Sequence, residues 1–434
     1  LIPFTKHTLP NGLDVIVHQD KHQPLVAVNL WYHVGSKDEV QGRTGLAHLF
    51  EHLMFKGAEH QPRGFFEPLQ EAGGSLNGST SADRTNYWAV VPTGAAELAL
   101  WMEADRMGWL LPALSADRFA TEREVVLNER RQSYENRPYG LAWFALSEAL
   151  YPPDHPYHWP TIGYPTDLRA TTVEDARAFF SRYYHPANAS LAIAGDIEPD
   201  RALAMAERLF GEIPAGPDVP RLTAAEPAAT ARRLLLEDRV ELPRLYAMWP
   251  SPALFEADDA ALDVAADIIA NGRTSRLYRV LIHDRRRAAE LGAGQGSREL
   301  GGHFQVVATA APDVTLDELR VAVSDEIARL AGQGPSADEL ERARVQAESA
   351  FMGRLQTLGG FGGKADQLNA YNVYTGSPAW FADDLQRYMR LTIDDVRSAV
   401  ARWLDPARAT WLSVVPTGKS SAALPDSTPA QVTV

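Results

Sequence analysis

The chain predicts an α+β fold built from two duplicated domains, each a mainly antiparallel sheet with helices packed on one face. The first observation behind this is an internal repeat. TTVEDARAFFSRYYHPANASL (171–191) aligns without gaps on LTIDDVRSAVARWLDPARATW (391–411), an offset of 220 residues. Thr172, Asp175, Arg177, Arg182, Pro186, Ala187 and Ala189 return as Thr392, Asp395, Arg397, Arg402, Pro406, Ala407 and Ala409. Each copy reads as a helix, a Pro-Ala turn and a strand, at 191–195 and 411–415. The period is too long for a solenoid and fits two copies of one domain. The second observation is that β-rich runs at 26–34, 85–91, 244–249 and 304–310 stand beside amphipathic helical patterns such as 94–109 and 316–331, as in layered sheet-and-helix domains. The third is a stretch rich in Pro, Ala and Gly after residue 210, with the composition of a linker. The expected organisation is therefore a first domain over 1–210, a linker over 211–232, a homologous second domain over 233–418 and a poorly ordered tail over 419–434.

Composition narrows the function. At 434 residues there is chain enough for two or three sizeable cores, and 45% apolar with 23% charged residues is ordinary for a globular protein. A formal net charge of −14 argues against nucleic acid as a partner. No apolar run reaches the 18 or so residues of a membrane span. There is no cysteine, which excludes disulfides and thiolate catalysis and fits an oxidising compartment. The chain starts at Leu1 rather than Met, as after removal of a signal peptide. The expectation is a periplasmic protein, with the cytoplasm as the alternative.

Chemistry is concentrated at His48-Leu49-Phe50-Glu51-His52. Residues 44–57 predict a helix: Thr44 can cap its start, Leu46, Leu49, Phe50 and Leu53 form an apolar stripe, and Lys56-Gly57 closes it. Imidazoles at i and i+4 stack one turn apart, so His48 and His52 can reach one ion. Glu51 lies one residue short of His52, near enough to touch a water in the ion's open position. This is the inverted H-x-x-E-H form of the zinc helix. Such a site needs a third protein ligand. Residues 115–136 predict a second helix, starting at Ser115 and stopping before Pro138. Glu122 and Glu129 share one face of it, about 10 Å apart along the axis. One of them can ligate, while the other is better placed to orient a ligand histidine.

The motifs LPNGLDVIV (9–17), GRTGLAHLFEHLMFKG (42–57), GGSLNGST (73–80), EREVVLNE (122–129), HPYHWPTIG (155–163) and YYHPANASLAIAGDI (183–197) together resemble the pitrilysin/insulysin family of zinc peptidases. The resemblance is strongest to its half-length bacterial members and the mitochondrial processing peptidase, and it spans nearly the whole chain. In that family a glutamate follows the second histidine after 76 intervening residues, a spacing that Glu129 matches. The resemblance therefore implies one Zn2+ held by His48, His52 and Glu129, with Glu51 as general base and Glu122 supporting the site. It also implies two halves closing as half of a clamshell. The second half has no H-x-x-E-H around the repeat-equivalent positions, which suggests that it shapes a chamber. GGSLNGST matches a family sheet edge that accepts substrate as an added strand, so Asn77 and Gly78 are expected to meet the peptide backbone.

One departure bears on activity. Active family members carry an arginine shortly after a Ser-Arg-Leu segment and a tyrosine seven residues later, and both reach the substrate carbonyl. Here Ser275-Arg276-Leu277 is present, but the matching positions are Ile282 and Ala289. Arg239 and Tyr246 have the spacing but fall on the opening strand of the domain. The basic run 283–290 reads as solvated surface. The expected function is thus a zinc-dependent endopeptidase or oligopeptidase subunit acting on extended or unfolded peptides, with a homologous partner chain supplying the Arg/Tyr pair. The alternatives are a non-catalytic core subunit, whose relatives have degraded metal motifs, and an active homodimer.

Overall fold

Two six-stranded mixed sheets carry the structure, a computed structural model that describes residues 2–227 and 230–433. Leu1, Ala228 and Ala229 within the expected linker, and Val434 at the end of the expected tail, lie outside the described residues. The chain divides into two compact units that draw on both sequence halves: 1–128, 159–222 and 350–383 form one, and 129–158, 223–349 and 384–434 the other.

In the first unit the strands are β1 (Thr5–Thr8), β2 (Asp14–Gln19), β3 (Leu25–Tyr32), β4 (Ser75–Thr80), β5 (Thr85–Pro92) and β6 (Ala189–Gly195), in the order β1-β2-β6-β3-β5-β4. Only β2 and β6 run parallel; the other pairs are antiparallel. From its second residue onward β3 is buried throughout, as a central strand covered on both faces should be. The helix Ala96–Ala113 packs on β3 and β5, and the helix Lys364–Thr375, from late in the chain, packs on β2, β3 and β6. The second attachment is polar. Asn369 Nδ2 donates to the Asn29 carbonyl, and Asn372 Nδ2 donates to Asp14 Oδ2 and to Ser190 Oγ.

The second unit repeats the plan with β7 (Arg232–Asp238), β8 (Arg244–Ser251), β9 (Ala288–Gly296), β10 (Gly302–Ala310), β11 (Thr410–Pro416) and β12 (Thr428–Pro429), in the order β12-β7-β11-β8-β10-β9. Here β7 and β11 form the parallel pair corresponding to β2 and β6. Leu245, Ala247 and Trp249 of β8 enter a core with the helices Asp259–Ile269, Leu316–Gln333 and Ile393–Trp403.

The repeat is visible at its caps. Thr172 starts Val173–Tyr183 and Thr392 starts Ile393–Trp403, each accepting from the amide of the aspartate three residues on. Those aspartates return a bond to the cap amide, which satisfies two otherwise unbonded helix-start amides. The four strands expected at 26–34, 85–91, 244–249 and 304–310 correspond to β3, β5, β8 and β10 within two residues at each end.

The expectation of a poorly ordered tail is corrected. Thr428–Pro429 pairs in parallel with β7, Ala430 donates its amide to the Leu235 carbonyl, and the Thr433 carbonyl accepts from the Arg130 guanidinium. A Pro- and Ser-rich composition misled because backbone pairing on an exposed edge needs no apolar side chains.

Candidate metal centre

The helix Leu46–Met54 carries His48, Glu51 and His52 in the first unit. Thr44 does not cap it, a second correction. The cap position is Gly45, whose φ of 94° lies in the left-handed region that only glycine adopts readily. The helix-start amides of Gly45 and Ala47 are instead bonded by the two carboxylate oxygens of Glu39, at 2.9 and 2.8 Å, and burial pushes the Glu39 carboxyl well above the usual range. Thr44 Oγ1 turns to Asp167 Oδ2 at 2.8 Å. At the other end the helix stops at Met54 with Phe55 as its C-cap, three residues short of the expected close at Gly57, whose φ is 98°. Phe50, inside the H-x-x-E-H stretch, packs on Phe179, Phe180 and Tyr184, which seats the metal helix on the repeat helix Val173–Tyr183.

A buried guanidinium lies among aromatic rings beside this helix. Arg106, paired with Glu103, lies 3.9 Å from the ring of Tyr87 and 4.0 Å from that of Phe65. The Tyr87 hydroxyl in turn reaches Met54 Sδ at 3.1 Å, at the end of the metal helix.

The helix Ala116–Arg130 starts as expected at Ser115, whose Oγ accepts from the Arg118 amide, and continues into a π-helical turn, Arg131–Glu135. It runs unbroken from Glu122 to Glu129. The helix belongs to the first unit through Asn128, and Arg130, one residue past Glu129, is buried in the second. There the Arg130 guanidinium stacks 4.7 Å from the Phe144 ring and pairs with Glu135.

Among the described residues, His48, His52 and Glu129 are the set of His, Cys, Asp or Glu side chains close enough to share an ion, with one ligand atom from each all within 4.8 Å of one another. The imidazole centroids are 4.9 Å apart. Donors on one tetrahedral zinc ion stand about 3.4 Å apart, so a side-chain adjustment of about an ångström suffices. Two nitrogens and one carboxylate oxygen are a donor set that zinc accepts while keeping a position open. Glu122 is buried; Lys56 Nζ lies 3.3 Å from its Oε1, and its Oε2 has no hydrogen-bond partner. A buried oxygen left in this way is chemically suited to accept from a ligand imidazole.

Glu51 accepts from Thr80 Oγ1 at 2.6 Å. Thr80 ends β4, the edge strand that also holds Asn77 and Gly78. A Cβ on Gly78 would lie 3.0 Å from the rings of Phe55 and Tyr87, so glycine is what lets β4 lie against the metal helix. The Gly78 amide donates to Asn77 Oδ1 at 2.8 Å; a peptide carbonyl taking that amide must displace the side chain. Thr80, Glu39, Tyr87 and Arg106 carry no signal in the sequence, since each acts through a contact that only the fold creates.

In the second unit Arg276 donates to both carboxylate oxygens of Glu339, at 2.9 and 2.8 Å. Ile282 lies in the π-helical turn Tyr278–Asp284, and Ala289 is exposed on β9. Arg239 donates to Asn136 Oδ1, and Tyr246 is buried in β8. Within the basic run, Arg287 pairs with Glu318 and Glu290 with Arg244.

Comparison with known proteins gives consistent results. Residues 14–152 match the family model described as Insulinase (Peptidase family M16), and residues 170–346 match that described as Peptidase M16 inactive domain. The zinc protease PqqE of Helicobacter pylori is 26% identical over 94% of this chain and 92% of its own length. A probable mitochondrial-processing peptidase subunit beta of Arabidopsis thaliana is 26% identical over 80% of this chain and 66% of its own. Among solved structures, a protease from Helicobacter pylori superposes with a TM-score of 0.88 at 26% identity, covering 96% of this chain and 100% of that one. The periplasmic protease PqqL of Escherichia coli shares the fold at a TM-score of 0.78 and 18% identity; 98% of this chain matches 49% of that one.

Proposed function

The chain belongs to the insulinase family of peptidases, M16, and from that premise we propose that it is a zinc-dependent endopeptidase or oligopeptidase subunit acting on extended or unfolded peptides. The observation that carries the reading is the approach of His48, His52 and Glu129 within 4.8 Å, with Glu51 on the same helix. In this reading those three residues hold one zinc ion per chain. Bound there, zinc would supply Lewis acidity, polarising a scissile carbonyl and easing deprotonation of water. Glu51 accepts the proton of the attacking water and passes it to the leaving amine. The Thr80 hydroxyl, 2.6 Å from Glu51 Oε2, fixes the direction from which that carboxylate works. Glu122 supports a ligand histidine. The backbone at Asn77 and Gly78 takes the peptide as an added strand, which tolerates many sequences.

The match to an inactive-domain model covers 170–346, outside the segment with the candidate ligands, and so does not favour a non-catalytic subunit. The positions where family resemblance calls for Arg and Tyr hold Ile282 and Ala289. We assign that pair to a homologous partner subunit. A periplasmic location suits a chain with no cysteine, and no helix among the described residues is long and apolar enough to cross a membrane.

Replacing Glu51 by Gln should leave about one zinc per chain by metal analysis while cleavage of a quenched peptide falls by at least ~100-fold. His48→Ala should lose the metal itself. Full activity in the Glu51 variant, or zinc content unchanged in the His48 variant, would overturn the assignment.

A further inference from the structure

The edge strand β4 is tied into a closed ring of side chains within the first unit that the proposed chemistry does not use. Arg84 Nη1 donates to Ser79 Oγ at 2.7 Å and to the Ser79 carbonyl at 2.8 Å. Ser79 Oγ donates to Asn86 Oδ1 at 2.7 Å, and Asn86 Nδ2 donates to Asp366 Oδ1 at 3.0 Å. The same carboxylate oxygen accepts from Trp31 Nε1 at 2.8 Å and Asn29 Nδ2 at 3.2 Å. The Arg84 guanidinium lies 5.2 Å from the Trp31 ring, which closes the circuit. Asp366 Oδ2 accepts the Gly362 amide at 2.7 Å, fixing the glycine-rich turn before the helix Lys364–Thr375.

Two features make this more than packing. Along the arm from Arg84 to Asp366 every donor points the same way, from a guanidinium through a hydroxyl and an amide to a carboxylate, so each bond polarises the next, while Trp31 and Asn29 donate to the same carboxylate from the other side. Asn29 and Asn86 are fully buried and Asp366 nearly so, where bonds to a carboxylate are strong and their loss is costly. The ring also ends beside the chemistry: Ser79 precedes Thr80, the residue that donates to Glu51. Neighbouring side chains of a strand point to opposite faces. The end of β4 is thus held on one face to Asp366 and on the other to the candidate base.

We propose that Asp366 is a positioning residue for the peptide-accepting edge: through Asn86 and Ser79 it holds β4 in the position from which an extended peptide is aligned with Glu51. The proposal rests on the peptidase reading and adds a residue 280 positions beyond Asn86 in the chain.

Asp366→Asn and Ser79→Ala in the full-length, zinc-loaded chain test it, the second being a mild change at a half-buried site. Asn372→Ala is the control, because it loosens the same helix at Asp14 and Ser190, away from β4. Hydrogen exchange of the β4 amides is read first, without peptide. It should rise about tenfold or more in both test variants and stay unchanged in the control. An unstructured fluorescent peptide, titrated onto the same variants in a Glu51→Gln background, should bind about tenfold more weakly in each, with zinc content unchanged. The double variant should bind no more weakly than the worse single one, since both cut one circuit. Unchanged β4 exchange, additive losses, or an equal loss in the control would overturn the proposal. Failure of the parent chain to bind any peptide would overturn the peptidase reading, and with it the claim on peptide alignment, while the exchange result would still report on the circuit.

Discussion

Two imidazoles four residues apart meet wherever a helix forms, which is why His48 and His52 are readable from spacing alone. Glu51 is readable for the same reason. What holds these side chains is not. The helix start is bonded by Glu39, six and eight residues before the amides it satisfies, whereas local pattern favours the adjacent Thr44. A hydroxyl next to a helix is a cap only if the chain turns to present it, and here the left-handed Gly45 turns it towards Asp167. Gly78 is a similar case, with a need for glycine that comes from two aromatic rings arriving from elsewhere. A Gly78→Ala variant should lose about 1–3 kcal/mol in stability through overpacking against Phe55 and Tyr87, read as a lower denaturant midpoint. An unchanged midpoint would mean that the rings yield without cost.

At the scale of elements, the paired capping boxes at Thr172 and Thr392 show how a duplicated sequence preserves local signals that remain useful in both copies. The helix Asp259–Ile269 carries a different kind of information. Burial pushes the Asp263 carboxyl up to about 7, aided by the nearby Asp259 and Asp267, and Tyr388 donates to it at 2.6 Å. Its folded pKa lies above its unfolded one. The stability it contributes is therefore complete below pH ~4 and is lost as pH rises through about 7. Asp263→Asn, which keeps an acceptor for Tyr388, should gain on the parent by on the order of 2 kcal/mol between pH 5 and pH 8 in denaturant titrations. A difference that does not change with pH would rule out a protonated Asp263. Nothing in the periodicity of that helix marks the effect, because it depends on what covers the carboxyl.

For the whole molecule, the expectation of two α+β domains agrees with two sheets whose strand order matches in five of six positions, the edge strands β1 and β12 differing in chain position and direction. The compact units nevertheless exchange segments. Residues 350–383 pack with the first sheet's unit and 129–158 with the second's, so the helix bearing Asp366 sits on strands from the other end of the chain. Function at this scale turns on the proposed partner. The purified chain should cleave a quenched peptide weakly alone and at least ~100-fold faster when mixed with a homologue that carries the Arg and Tyr, since each oxyanion donor in comparable hydrolases is worth about 2.7–4 kcal/mol. Strong activity of the chain alone would favour the homodimer instead.

The sequence by itself determined the repeat, the sheet-and-helix class, the H-x-x-E-H helix and, through family resemblance, the choice of Glu129 as third candidate ligand. These are legible because they depend on the fixed periods of helix and strand and on spacings along one chain. Tertiary structure alone decided that Glu129 comes close to the histidines, that Thr80 holds Glu51, that the C-terminal segment completes a sheet, and that Asp366 is linked to the edge strand through Asn86 and Ser79. Each of these joins residues that are distant in sequence, and such contacts are set by how surfaces pack rather than by any local preference of the backbone.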